Sequence, residues 1–181
     1  MPILGLLHKY FADNPEGLEA VVTHSRMVAD KALAIAAGSK LSGLDLVFIE
    51  EAALLHDIGI CRIHAPALNC HGKAPYICHG IAGREILEAE GLFRHALVCE
   101  RHIGVGLTAR DIAVQRLPLP AREMSPVTAE ERLVALADLF FSKRRGELTR
   151  EKGLEEVRDS LRRFSEEKVA ILESWLAEFS P

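Results

Sequence analysis

Apolar residues recur at every third or fourth position along most of this chain, and this spacing limits the fold more than any other feature of its sequence. Between residues 16 and 37 the spacing places one series of side chains on a single helix face. That face carries Val21, His24, Val28, Ala32 and Ile35. Alternating, strand-like runs are scarce. The sequence therefore predicts an all-α fold, a bundle of about six to eight helices.

Turn and capping residues divide the pattern into further helices. These are expected at about 42–57, 75–91, 93–102, 128–142 and 150–179, the last with a bend or break after Phe164. Gly59 is predicted to end the second of them as a C-terminal cap. The segments 61–75 and 104–126 carry prolines and glycines and are predicted to be loops.

The composition of the 181 residues, 49% hydrophobic and 27% charged, predicts one globular domain over 1–181. A net charge of -4 argues against duplex nucleic acid as a partner. No apolar run approaches the roughly 20 residues that cross a bilayer, so we expect no membrane segment and a cytoplasmic location. The four cysteines lack metal-binding spacing and are expected to be reduced thiols.

Polar residues at predicted core positions mark a candidate metal site. His24 and Asp138 lie on core-facing helix positions, and His56 and Asp57 follow an apolar run in the stretch LLHDIG. A buried carboxylate needs a cation, and no lysine or arginine falls on the inward faces of these predicted helices. Mixed nitrogen and oxygen ligands suit Fe, Mn, Co, Ni or Zn and, less well, Mg.

The order of these residues resembles the HD-domain family of metal-dependent phosphohydrolases. The matching segments are HSRMVA from His24, LLHDIG around His56 and Asp57, and ERLVALADLFFSK around Asp138. The resemblance implies an HD-domain helical bundle with a core at about 20–143 and a helical cover at 149–179. It also implies that His56 and Asp57 belong to the catalytic centre.

Two further histidines resemble those of the binuclear members of this family. His79 in HGIAG and His102 in RHIG occupy the places between the doublet and the last aspartate, as in HD-type diadenosine tetraphosphate hydrolases. The resemblance implies one ion held by His24, His56, Asp57 and Asp138, with Asp57 bridging to a second held by His79 and His102. His71 competes with His79 for the third place, but it lies in a predicted loop.

One position departs from the family pattern. Many members carry a lysine directly after His-Asp-Ile-Gly, where its ammonium can pair with a substrate phosphate, whereas this chain has Ile60. Arg62, Lys73, Arg101 and Lys143 are the candidates for that substrate-binding role.

The leading hypothesis is hydrolysis of a phosphate ester or anhydride of a nucleotide by a metal-activated water, with a small phosphorylated substrate as the partner and one or two divalent ions as the cofactor. The alternatives are a binuclear iron oxygenase and a regulatory module that binds a nucleotide without turnover. The exact substrate, the metal, the number of ions and the oligomeric state stay open, and a homo-oligomer is compatible with the sequence.

Overall fold

The structure is a computed structural model that describes residues 3–144 and 146–181. Within those residues it contains nine α-helices and one two-stranded sheet, which confirms the all-α class. The helices are α1 (Ile3–Tyr10), α2 (Pro15–Gly38), α3 (Leu46–Leu55), α4 (His79–Ala89), α5 (Phe93–Arg101), α6 (Ala109–Val114), α7 (Ala129–Asp138), α8 (Leu154–Arg162) and α9 (Glu166–Glu178). Short 3-10 helices cover Ile58–Arg62, Pro66–Leu68 and Tyr76–Cys78.

Local signals set the beginnings of the helices that carry the site. Asn14 caps α2 by accepting a hydrogen bond from the Gly17 amide, and Pro15 occupies the first helical position, where no amide proton is needed. Asp45 caps α3 through the Phe48 amide. Thr128 caps α7 through the Glu131 amide at 3.2 Å. Each cap satisfies an amide that the helix leaves free.

Two apolar clusters hold the bundle together. One joins α2, α3 and α7 to the C-terminal helices, with Leu133, Leu136 and Leu172 fully or almost fully buried. The other joins α1 and α4 to the segment after α3, with Leu55 and Ile58 fully buried. Burial of this kind contributes about 25 cal/mol per Å² of apolar surface. His24, His56 and Asp57 of the polar site described below are fully buried in this core.

The structure differs from the sequence predictions in several elements. The predicted loop at 61–75 contains a small antiparallel hairpin of β1 (His64–Ala65) and β2 (Cys70–His71), to which Asn14 donates at the Leu68 and Asn69 carbonyls. The predicted 104–126 loop contains α6, begun by a capping box at Thr108. The C-terminal segment breaks at Ser165, as predicted, because that residue caps α9.

Gly59 does not act as the predicted helix cap. It lies inside the 3-10 helix that follows α3, and its α-carbon faces the backbone of α4. A methyl group there would overlap the His79 carbonyl oxygen and the Gly83 backbone nitrogen. Glycine is therefore required for the close approach of two backbones that carry candidate ligands.

We expect Gly59→Ala to lower the free energy of unfolding by about 1 to 3 kcal/mol or more, since a forced fit in a packed core costs that much. Urea denaturation of EDTA-treated protein measures it without a contribution from metal. Gly38→Ala is the matched control, because nothing lies within 4 Å of that position. An equally stable Gly59→Ala protein would contradict the close packing.

The helices of the described part include no membrane-crossing candidate. None of them combines the length and the apolar character that a bilayer span requires.

Candidate metal centre

Four carboxylate and imidazole ligands predicted from the sequence meet at one point of the bundle. α2 contributes His24, the turn after α3 contributes His56 and Asp57, and the last residue of α7 is Asp138. His24 Nε2 lies 2.9 Å from Asp138 Oδ1, and His56 Nε2 lies 3.5 Å from the same oxygen. Single atoms of His24, His56 and Asp138 all lie within 4.8 Å of one another. This spacing suits three ligands of a single ion.

The two carboxylate oxygens of Asp57 face different pairs of histidines. Oδ2 lies 3.4 Å from His24 Nε2 and 3.1 Å from His56 Nε2. Oδ1 lies 3.5 Å from His79 Nε2 and 3.7 Å from His102 Nε2. His79 begins α4, and His102 follows the last residue of α5, so α4 and α5 supply the second pair. All six ligand candidates are thus brought together around one buried carboxylate.

Backbone carbonyls fix the orientation of three of the four imidazoles. A carbonyl can only accept, so the Nδ1 atom facing it carries a proton and the Nε2 atom is the one left to bind a metal. This is the form in which histidine binds a metal. The Nδ1 atoms of His56, His79 and His102 donate to the carbonyls of Ala53 (2.6 Å), Tyr76 (2.7 Å) and Cys99 (2.8 Å).

The charges of the cluster show that its carboxylates need cations. Burial opposes the charged form of Asp57, yet His56 and Lys143 hold the pKa of this carboxyl well below its usual range. Burial lowers the pKa of His56, but Asp57 and Asp138 outweigh it and raise that pKa to about 10. Burial and the neighbouring imidazoles lower the pKa of His102 to about 3, so this ring is neutral.

A divalent cation fits these residues, because several of their polar atoms are buried without a hydrogen bond. Among the described residues, His56 Nε2 and Asp57 Oδ1 lack a hydrogen-bond partner although both are inaccessible to solvent. A buried polar atom left unpaired costs about 1 to 3 kcal/mol. Coordination satisfies these atoms, and the mixed nitrogen and oxygen set is typical of transition-metal sites.

Lys143, one of the predicted substrate-binding candidates, is a cation in contact with the cluster. Its Nζ lies 2.8 Å from Asp57 Oδ2 and 3.5 Å from Asp138 Oδ1. α7 ends at Asp138, four residues before the predicted end, and the irregular chain beyond it turns back to bring Lys143 in. The prediction concerns only the inward helix faces, and Lys143 reaches these carboxylates from the irregular chain beyond α7. The Lys143 ammonium still leaves His56 Nε2 and Asp57 Oδ1 buried without a hydrogen bond, so the need for a further cation remains.

Hydrogen bonds from Lys152 hold the segment that carries Lys143. Lys152 Nζ donates to the carbonyls of Leu139 and Phe141 at 3.1 and 3.0 Å, and the Lys152 amide donates to the Phe140 carbonyl at 2.8 Å. These bonds hold the chain that follows α7.

The other basic candidates make contacts elsewhere. Arg101 forms a two-oxygen ion pair with the buried Glu131 at 3.0 Å to each oxygen. Arg62 is exposed and lies 3.7 Å from Glu85, and Lys73 is exposed. Within the described residues, Lys143 is the member of this group that contacts the candidate ligands.

The structure separates the two histidines that competed for the third place in the motif. His71 is exposed at the end of the hairpin, where its ring lies 3.0 Å from Asn69 Oδ1. His79 is buried, with its Nε2 atom 3.1 Å from that of His102.

Tyr76 is a site residue that sequence reasoning missed. Its carbonyl orients His79, and its ring lies 4.8 Å from the His79 ring, centroid to centroid. The three-residue spacing between Tyr76 and His79 was the available signal, but a tyrosine at a loop end has many other uses.

Comparison with protein-family models matches residues 21–141 to the HD domain, and this range contains all six ligand candidates. The chain belongs to the HD-domain family. The HD domain of the L. monocytogenes phosphodiesterase PgpH has a similar fold, with a TM-score of 0.56 and 18% sequence identity. The comparison covers 98% of this chain and 88% of that domain. Membership of the family supports a metal-dependent phosphohydrolase in general terms.

The chain is also similar to three curated proteins of archaea. An uncharacterized protein of Methanocaldococcus jannaschii is 38% identical over 134 residues, which cover 72% of each chain. A protein named tRNA (cytidine(56)-2'-O)-methyltransferase from Thermoplasma volcanium is 32% identical over 87% of this chain and 43% of its own length. The protein of the same name from Picrophilus torridus is 37% identical over 54% of this chain and 25% of its own. The chain thus matches less than half of either methyltransferase.

Proposed function

We propose that this HD-domain protein hydrolyses a phosphate ester or anhydride bond of a nucleotide or a related small phosphorylated compound. The main support for the proposal is the position of the two carboxylate oxygens of Asp57. Oδ2 faces His24 and His56, and Oδ1 faces His79 and His102. One carboxylate between two imidazole pairs can serve as a shared ligand of two neighbouring ions, and two such ions can act together on a phosphoryl group.

The six residues His24, His56, Asp57, His79, His102 and Asp138 would hold two divalent transition-metal ions. Such ions supply an acidified water and stabilise negative charge on the phosphoryl oxygens. The chain contributes ligand orientation, because the Ala53, Tyr76 and Cys99 carbonyls fix the rings. It also excludes bulk water from Asp57, which is fully buried.

A nucleotide is favoured as the source of the phosphate by two of the relatives. Both are named for the methylation of tRNA, and the region similar to this chain forms part of each longer protein. A domain joined in one chain to a tRNA-modifying enzyme has reason to act on nucleotide-derived phosphates. The net charge of -4 still argues against a long duplex.

The proposal is tested by phosphate release from a panel of mononucleotides, dinucleoside polyphosphates and cyclic nucleotides, with protein reconstituted in Mn²⁺, Fe²⁺, Co²⁺, Ni²⁺ or Zn²⁺. We expect turnover of at least one class that EDTA abolishes and metal restores. Tight nucleotide binding without turnover would indicate a regulatory module. Iron-dependent oxygen consumption with an organophosphonate or polyol, and no phosphate release, would instead indicate an oxygenase.

A further inference from the structure

The cation that many family members carry directly after the His-Asp-Ile-Gly motif has no counterpart at that position here. Ile60 is fully buried in the second apolar cluster, so neither its chemistry nor its direction suits an anion. An anionic substrate must therefore find its positive partner elsewhere. The Lys143 ammonium is such a positive partner, because it lies at the metal centre in contact with both Asp57 and Asp138.

The balance of charge makes the Lys143 ammonium available to a substrate. Two carboxylates contact it in the protein, and divalent ions among the same ligands would neutralise both. The ammonium then becomes surplus positive charge in a water-poor site, where its attraction for an anion is strong. Lysine carries three N–H donors, so one can remain on Asp57 while another binds an incoming oxygen.

Tyr76 supplies a second hydrogen-bond donor, its hydroxyl group, at the metal centre. Its side chain is partly open to solvent, 41% exposed for the whole residue, and its ring packs against His79. Burial raises the pKa of Tyr76, and the positive charge of the Lys143 ammonium opposes this rise. The Tyr76 ring therefore lies beside the His79 ligand, with part of the residue open to solvent.

We infer that Lys143 and Tyr76 together form the phosphoryl-binding edge of the centre, with the Lys143 ammonium and the Tyr76 hydroxyl as donors to substrate oxygens. This inference rests on the proposed function and names the groups that recognise the phosphate. It assigns Lys143 the role left open by Ile60, and it gives Tyr76 a role for which its partial exposure is needed. Lys152 serves as a positioning residue, because it holds the segment that carries Lys143.

The test measures binding of inorganic phosphate to the Mn²⁺-loaded protein by calorimetry, alongside metal content by mass spectrometry. We expect Lys143→Met to weaken phosphate binding by about 10- to 100-fold and Tyr76→Phe by about 3- to 10-fold, with unchanged metal content. Lys143→Arg should recover most of the affinity, because it restores a cation. Lys9→Met is the matched control, since Lys9 is also ion-paired, with Glu90, but lies outside the cluster.

The outcomes separate this inference from the proposed function. Unchanged phosphate affinity in Lys143→Met, or a lost metal ion, would overturn the inference by showing Lys143 to be only a counter-ion or a support for the ligands. In a protein that hydrolyses nucleotides, a raised KM with little change in kcat for Tyr76→Phe supports it. A further outcome is a wild-type protein that binds phosphate but hydrolyses no nucleotide, while Lys143→Met weakens phosphate binding. That result would overturn the proposed function and support the anion site.

Discussion

Replacing Asp57 by asparagine should remove most of the bound metal and lower phosphate release by at least about a thousandfold. Asparagine keeps the size of the side chain but removes the negative charge that faces both histidine pairs. A neutral amide oxygen is a weaker ligand, and it cannot hold two ions together. We therefore expect the Asp57→Asn protein to lose both metal ions.

The measurement for Asp57→Asn is metal content per folded chain, together with initial rates of phosphate release. Circular dichroism establishes that the helices remain, and Asp30→Asn, an exposed substitution on α2, is the control. Full metal occupancy with a normal rate in Asp57→Asn would show that Asp57 is not part of the metal centre.

Replacing His79 or His102 by alanine should reduce the metal content from two ions to one. These two residues face Asp57 Oδ1, whereas His24 and His56 face Oδ2, so the first set of ligands stays complete. We expect phosphate release to fall by at least about a hundredfold, since loss of a group that merely supports a ligand already costs about 10- to 100-fold.

A count of ions in each variant checks this second prediction. His8→Ala, an exposed histidine of α1, is the control for the effect of removing an imidazole. Two ions retained in both His79→Ala and His102→Ala would show that the second site is built from other residues. Loss of both ions would show that the two sets of ligands are not independent.

The periodicity of the sequence was enough to predict the fold class and part of the ligand geometry. His24 and Asp138 fall on core-facing helix positions, so their inward direction follows from spacing, whereas their meeting depends on how α2 and α7 pack. The break before α9 could also be predicted, because the apolar series shifts near Phe164 and Ser165 supplies a cap. The roles of the individual ligands came from resemblance and not from periodicity.

Residues outside regular elements could not be placed in the same way. Lys143 reaches Asp57 only because α7 ends at Asp138, and Lys152 folds the following chain back toward the site. Tyr76 lies in a 3-10 turn whose direction depends on packing against α4. Long-range contacts decide such segments, and no short sequence pattern encodes them.

The most direct measurement is the anomalous scattering of a crystal of this protein grown with Mn²⁺. Our account predicts two peaks on opposite sides of Asp57, one among His24, His56 and Asp138 and the other beside His79 and His102. Peaks elsewhere in the molecule, or no peak near Asp57, would contradict the metal centre and the function proposed from it.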